Sequence, residues 1–155
     1  MIQVVEAYEG TALREVHTLF IEYASTLGVS LDFQDFAAEV STLPGDYRPP
    51  SGRLLLAYRG NQPAGCIGLR RFSDRICEMK RLYVRPNYQG LKIGRILAET
   101  MISEARLAGY TRIRLDTLPS MNRARGLYAS LGFREIAPYR YNPIKNTTFL
   151  ELTLA

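Results

Sequence analysis

Apolar residues recur along this chain with a period that changes from segment to segment. Near the start Ile2, Val4 and Val5 are the apolar positions of a predicted strand over residues 2–8. Leu13, Val16, Phe20, Tyr23 and Leu27 then return at helical spacing, which predicts a helix capped by Thr11 and stopped by Gly28. A shorter helix is predicted over 31–43, with Phe33, Phe36, Ala37 and Val40 as its apolar positions, before a loop marked by Pro44-Gly45, Pro49-Pro50 and Ser51-Gly52. From Arg53 the pattern becomes that of strands, over 54–58, 64–72 and 75–84. Turns at Gly60-Asn61-Gln62-Pro63 and Ser73-Asp74 join them into an antiparallel meander. A glycine-containing loop leads to a helix over 94–108 with Leu97, Met101, Ala105 and Ala108 on one stripe. A strand at 112–117 follows, then a helix capped by Ser120 and running to Leu131, then strands over 133–141 and 148–154.

The predicted order is β-α-α-β-β-β-α-β-α-β-β. The segment 75–117 is a βαβ crossover, which makes its two strands parallel within an otherwise antiparallel sheet. This is the pattern of a single α/β domain over residues 1–155, with a mixed central sheet of about seven strands. No repeat, low-complexity segment or interdomain linker interrupts it.

Composition adds exclusions. With 46% hydrophobic and 23% charged residues the chain is ordinary for a globular protein. No apolar run approaches the ~20 residues that cross a bilayer, and no positive n-region precedes Arg14, so the expected compartment is the cytoplasm and no membrane partner is expected. Two cysteines, Cys66 and Cys77, and one histidine, His17, are too few for a Cys/His zinc site. With a Ser73-Asp74 turn, Cys77 would face Arg70 and Cys66 would face Arg81, leaving two unpaired core thiols. No G-x-S-x-G elbow accompanies His17, which reads as a surface or packing residue.

Charge is uneven. Residues 1–52 hold Arg14 and Arg48 against eight carboxylates, while the remainder holds 18 basic residues against seven acidic ones. The basic part suits an anionic partner, a nucleic acid or a phosphorylated small molecule, or else is a solvated arginine-rich surface. No helix-turn-helix, zinc finger or aromatic RNA motif accompanies it, so no nucleic-acid partner is expected.

The most informative stretch is Gln89-Gly90-Leu91-Lys92-Ile93-Gly94-Arg95, between a strand end and a helix start. A helix N-terminus presents unpaired N–H groups and partial positive charge, which suits a phosphate. Gly90 and Gly94 permit close approach and a positive φ, and Lys92 and Arg95 add full charges. The spacing excludes both G-x-x-x-x-G-K-[ST] and G-x-G-x-x-G. By itself the segment could also be a plain strand-to-helix connection.

These residues resemble the GNAT superfamily of acetyl-CoA-dependent N-acetyltransferases. Gln89, Ile93 and Gly94 fit its Q/R-x-x-G-x-G/A loop, with Lys92 where the middle glycine is usual. Residues 78–86, Glu78-Met79-Lys80-Arg81-Leu82-Tyr83-Val84-Arg85-Pro86, look like its strand before the loop. Asn122 and the later Leu127-Tyr128-Ala129-Ser130-Leu131-Gly132-Phe133 look like its N…A…L-Y-x-x-L-G-F segment. The likeness covers nearly the whole chain and implies transfer of an acetyl group from acetyl-CoA to a primary amine by direct attack, without a metal.

The resemblance also implies site roles. The amides of Leu91, Lys92, Ile93, Gly94 and Arg95, with Gln89 and Gly90, would hold the pyrophosphate. The backbone of Leu82, Tyr83 and Val84 would pair with the pantetheine arm like an added strand, in the gap beside strand 112–117. The Leu82 N–H would be the oxyanion donor. Glu78 is a candidate base, or a partner of a neighbouring cation. Tyr128 is a candidate general acid toward the CoA thiolate, or a core tyrosine. Asn122 would contact the CoA arm or help cap its helix. The acceptor, a small molecule or a peptide amine, would lie among 22–36 and 138–146. Arg70, Arg71 and Arg140 suit an anionic group on it, and Glu22, Asp32 and Asp35 a cationic one. The other function class left open is a non-catalytic CoA-binding sensor, and the family leaves a homodimer open.

Overall fold

The computed structural model describes residues 1–28, 30–31 and 35–154. Seven strands form one sheet: β1 (Ile2–Glu6), β2 (Arg53–Arg59), β3 (Gln62–Ser73), β4 (Ile76–Val84), β5 (Arg112–Thr117), β6 (Arg134–Ile136) and β7 (Thr148–Thr153), in the order β1-β2-β3-β4-β5-β7-β6. Every neighbouring pair is antiparallel except β4 and β5. The expected single mixed seven-stranded α/β fold is therefore present. No helix among the described residues is long and apolar enough to cross a membrane.

The sheet is covered on both faces, and the sequence shows how. In β2 the run Leu54-Leu55-Leu56-Ala57 is wholly buried. Side chains alternate across a strand, so Leu54 and Leu56 join one core while Leu55 and Ala57 join the other. The first core packs under α1 (Gly10–Thr26), through Val16, Leu19 and Phe20, and α2 (Phe36–Ser41), through Val40. The second packs under α3 (Ile93–Leu107), through Ile93, Leu97 and Met101, and α4 (Asn122–Ser130), through Tyr128.

Several boundaries differ from the sequence reading. The helix expected over 31–43 is the six residues Phe36–Ser41, and Phe33 and Asp32 lie outside the described residues. Thr11 and Ser120 cap nothing: α1 starts after Glu9 and α4 after Met121, neither with a side-chain cap bond. The strand expected over 133–141 is only Arg134–Ile136.

The β3–β4 hairpin turns at Asp74-Arg75 rather than Ser73-Asp74, with Arg75 at φ 61. Phe72 is extruded between the pairs Arg71↔Cys77 and Ser73↔Ile76. Cys77 thus opposes Arg71, not Arg70. A second irregularity brings Cys66 opposite Tyr83 rather than Arg81. Both thiols remain free, buried and raised in pKa by that burial, Cys77 to about 12.

Gly68 sits under the ring of Tyr47, which is 1% exposed. A Cβ there would meet Tyr47 Cε1 at 2.6 Å. Overpacking of this kind costs roughly 2 kcal/mol. Gly68→Ala is expected to lower Tm by about 6 °C, checked by thermal unfolding.

Candidate active site

The chemistry concentrates where β4 leaves β5. The two strands pair only at Ile76↔Arg112, Cys77↔Ile113 and Glu78↔Arg114. Beyond Glu78 the β5-facing edge of β4 has no partner strand, although its other edge still pairs with β3 through Gly65↔Val84 and Cys66↔Tyr83. Inside the parted segment lies a β-bulge. Lys80 pairs with Gly68 and Tyr83 with Cys66, so Arg81 and Leu82 together oppose Ile67, and Arg81 takes φ 63. A bulge re-aims the local backbone, and here it does so at Leu82. Leu82, Tyr128, Lys80, Arg81 and Asp116 line one cleft at this parting.

At the end of β4 the chain passes a single 3-10 turn, Pro86–Tyr88, and then the loop. Gln89 Nε2 donates to the Val84 carbonyl at 3.4 Å, folding the loop back on the strand. Gly90 is left-handed at φ 86. Lys92 is left-handed as well, at φ 64, and is the residue that starts α3. The chain therefore keeps a glycine-like torsion at the position where a lysine replaces the usual glycine. Gly94, which would permit a positive φ, does not adopt one. A Cβ there would make only ordinary contacts at 3.7 Å with Leu127 and Val84.

No side chain caps α3, and no acidic residue stands in its first turn. Its leading amides have no intrahelical acceptors, which makes this end suited to an anion. Gln89, Gly90, Leu91 and Lys92 are exposed beside it. Arg95 is tethered, donating to Ser130 Oγ at 2.6 Å with Glu99 Oε2 at 3.9 Å.

Tyr128 on α4 is 7% exposed and packs against Phe133 at 5.5 Å. Burial pushes its phenol above the ordinary range, so it is protonated at neutral pH. Asn122 is exposed at the start of the same helix.

Glu78 and Lys80, two residues apart on β4, carry buried charges, and Lys80 also lines the cleft with Tyr128. Glu78 is fully buried, accepts from Arg70 Nε at 3.0 Å and from the Tyr139 hydroxyl at 2.8 Å, and forms an ion pair with Arg140 Nη2 at 2.8 Å. Burial pushes its pKa up, but Lys80, Arg140, Arg70 and the Tyr139 hydroxyl outweigh that and hold it below the ordinary carboxylate range. Lys80 is 5% exposed, and burial brings its ammonium down to about 8 against the opposing pull of Glu78. Arg81, 3% exposed, is gripped by both carboxylate oxygens of Glu39 at 2.9 Å.

The other expected acceptor residues separate. Arg70 and Arg140 meet at Glu78, whereas Arg71 is paired with Asp74 at the hairpin tip. Glu22 is held by Arg85 Nη2 at 2.7 Å and the Tyr83 hydroxyl at 3.2 Å, and Asp35 starts α2. The segment after β6 crosses the end of β5, with Asn142 donating to Asp116 at 3.3 Å. Its Tyr139, with Phe72, stacks against the guanidinium groups of Arg114 and Arg140.

Sequence reasoning singled out neither Lys80 nor the Glu39–Arg81 pair. Lys80 had a signal: it lies two residues from Glu78 in a strand and so shares its face. His17 is exposed on α1, and no cluster of three or more metal-ligating side chains occurs among the described residues.

Residues 13–133 match the model of the acetyltransferase (GNAT) family. An uncharacterized N-acetyltransferase of Dictyostelium discoideum is 32% identical over 99% of both chains. A GNAT-family acetyltransferase of Staphylococcus aureus superposes with TM-score 0.82 at 23% identity over 100% of both chains. Salmonella typhimurium yncA, solved with its cofactor acetyl-CoA, superposes with TM-score 0.72 at 20% identity, covering 99% of this chain and 94% of that one.

The left-handed torsion of Lys92 costs about 1 kcal/mol relative to glycine. Lys92→Gly is expected to raise Tm by about 3 °C while weakening coenzyme A binding severalfold through loss of the ammonium, read by thermal unfolding and calorimetry.

Proposed function

This chain belongs to the GNAT family of acetyltransferases, and we propose that it transfers the acetyl group of acetyl-CoA to a primary amine by direct attack across the gap between β4 and β5. The observation that carries the reading is the bulged, unpaired edge of β4 at Leu82, flanked by an uncapped helix end on one side and the protonated phenol of Tyr128 on the other. The pyrophosphate sits on the amides of Leu91 to Arg95, with Gln89 and Gly90 shaping the turn. The pantetheine arm adds to β4 along Leu82, Tyr83 and Val84, and Asn122 borders it from α4. The Leu82 N–H receives the carbonyl oxygen as it becomes an oxyanion, a placement worth about 3 kcal/mol where the donor is preorganised. Tyr128 gives its proton to the departing thiolate.

Proton removal from the amine is the step the buried charges bear on most. Glu78, the expected base, has two hydrogen-bond donors and the Arg140 ion pair on its carboxylate and a lowered pKa, which makes it a weak proton acceptor. Lys80, on the same face, titrates near the pH at which a general base works best. The reading assigns the proton to neutral Lys80. Glu78 holds Arg70 and Arg140 in place and stabilises the ammonium formed. Glu78 acting directly is the second reading, and it is favoured by the family spacing to Leu82. Arg140 Nε is a buried donor with no partner in the described structure. It supports an acceptor that carries a carboxylate or phosphate near its amine, shared by Arg70 and Arg140.

A thiol-release assay with acetyl-CoA and a panel of amines tests the whole reading, with anionic amines expected ahead of polyamines. Tyr128→Phe is expected to lower kcat about a hundredfold with little change in coenzyme A affinity by calorimetry. Unchanged turnover removes Tyr128 from the reaction.

The pH profile separates the two bases. Neutral Lys80 predominates above its pKa, so kcat/KM should rise with pH through a limb near 8, in addition to the acceptor amine's own limb near ~10. In Lys80→Met the lower limb disappears and the rate falls at least about tenfold. If Lys80→Met keeps wild-type turnover while Glu78→Gln loses it, the base is Glu78, whose carboxylate already ionises below the ordinary range and gives no limb near 8.

A further inference from the structure

We propose that Glu39 and Arg81 form a latch that fixes the β4 bulge so that the Leu82 amide stays aimed at the thioester carbonyl. They are positioning residues for the transfer. The inference rests on the Leu82 reading above but concerns two side chains which that reading leaves unused.

Arg81 is one of two residues that oppose the single Ile67, and it carries the left-handed torsion, φ 63, that makes the bulge. Nothing in an arginine side chain favours that region, which glycine, asparagine and aspartate tolerate best. The torsion must be held from outside, and three sets of contacts converge on it. Arg81 Nε and Nη2 donate to Glu39 Oε2 and Oε1, both at 2.9 Å. Its guanidinium lies 5.1 Å from the Phe36 ring and 5.7 Å from the Tyr23 ring. Its carbonyl accepts the Cys66 thiol at 3.5 Å.

Glu39 is fixed in turn by the Tyr47 hydroxyl at 2.8 Å, with Arg70 Nη1 at 3.9 Å. A bidentate arginine–carboxylate pair sets direction as well as distance. Buried ion pairs contribute little net stability compared with apolar replacements. A buried pair placed on the left-handed residue immediately before Leu82 is therefore better accounted for by the geometry it imposes. Rotation of the 81–82 peptide would swing the Leu82 N–H away from the gap, and α2 is the element that prevents it.

The test compares kcat, KM for acetyl-CoA and the Leu82 amide resonance, with coenzyme A and with acetyl-CoA as probes, in the full chain. Arg81→Ala removes the latch and disfavours the torsion. Its kcat should fall about a hundredfold, as for loss of an oxyanion donor, with KM for acetyl-CoA changed less than about twofold. Arg81→Gly removes the latch but permits the torsion, and should lose only about tenfold. Equal losses in the two would place the guanidinium itself at the reaction and overturn the latch, as would wild-type kcat in Arg81→Ala.

Should Arg81→Ala not fold, a double-mutant cycle decides. Glu39→Gln should lower kcat in the wild-type background and cost nothing more in Arg81→Gly. Additive losses, or wild-type kcat in Glu39→Gln, overturn the proposal. A wild-type Leu82 amide that resonates identically with coenzyme A and acetyl-CoA instead overturns the Leu82 assignment itself, whatever the variants do.

Discussion

Two parallel strands that stop pairing after three residues leave backbone donors and acceptors with nothing across from them, and a protein interior does not tolerate unmatched amides and carbonyls. That parting of β4 from β5 organises the molecule. One edge of β4 remains tied to β3 and so cannot follow the gap. The other edge is open along the segment that reaches the helix-entry loop. α3 begins where β4 ends and turns its uncapped amides to the same side, while α4 brings Tyr128 to the cleft. A ligand with a diphosphate at one end and an amide-bearing arm matches both needs at once, because it supplies charge to the helix end and hydrogen-bonding groups to the strand edge.

The buried charges of β4 pose a different problem. Glu39 on α2 and Glu78, Lys80 and Arg81 on β4 are all buried or nearly so. Isolated charges could not stay ionised there. They persist because each is matched: Glu78 by Arg70, Arg140 and Tyr139, and Glu39 by Arg81 and Tyr47. The lowered carboxylates and the lowered lysine follow from this arrangement. For Glu78 and Glu39 the surrounding cations outweigh burial, and for Lys80 burial outweighs the nearby carboxylate. The cluster stabilises the fold above the range where its carboxylates protonate and loses that contribution as pH falls through their lowered folded values.

The fold was legible because its cues are local. Short apolar runs bounded by turns in 54–58 and 64–72, the stripe Leu97–Met101–Ala105 and the stop glycines at 28, 109 and 132 each needed only neighbours to be read. The loop and Tyr128 were legible through a family pattern. What the sequence hid was long-range. The bulge at Arg81 depends on a carboxylate 42 residues away on a six-residue helix. The meeting of Arg70 and Arg140 at Glu78 joins three separate stretches of the chain. The hairpin register slipped by one residue because Arg75 accepts a left-handed torsion and Phe72 leaves the ladder to stack with Tyr139 at 5.1 Å. A two-residue turn gives no local sign of that.

Lys92 shows which feature of the loop the fold holds constant. A glycine would adopt its left-handed torsion without strain, yet the chain keeps the torsion with a residue that is strained by it. The backbone path into α3 is thus fixed by the strand before it and the helix after it, not by the freedom of the residue between them. The same holds at Arg81, where a left-handed torsion is again carried by a long cationic side chain. At Arg81 and at Lys92 alike, geometry is set in the main chain and charge is added on top of it. In the proposed reading, the donor side therefore keeps its shape while its electrostatics are tuned, and selection among acceptors falls to Arg70 and Arg140 beside Glu78.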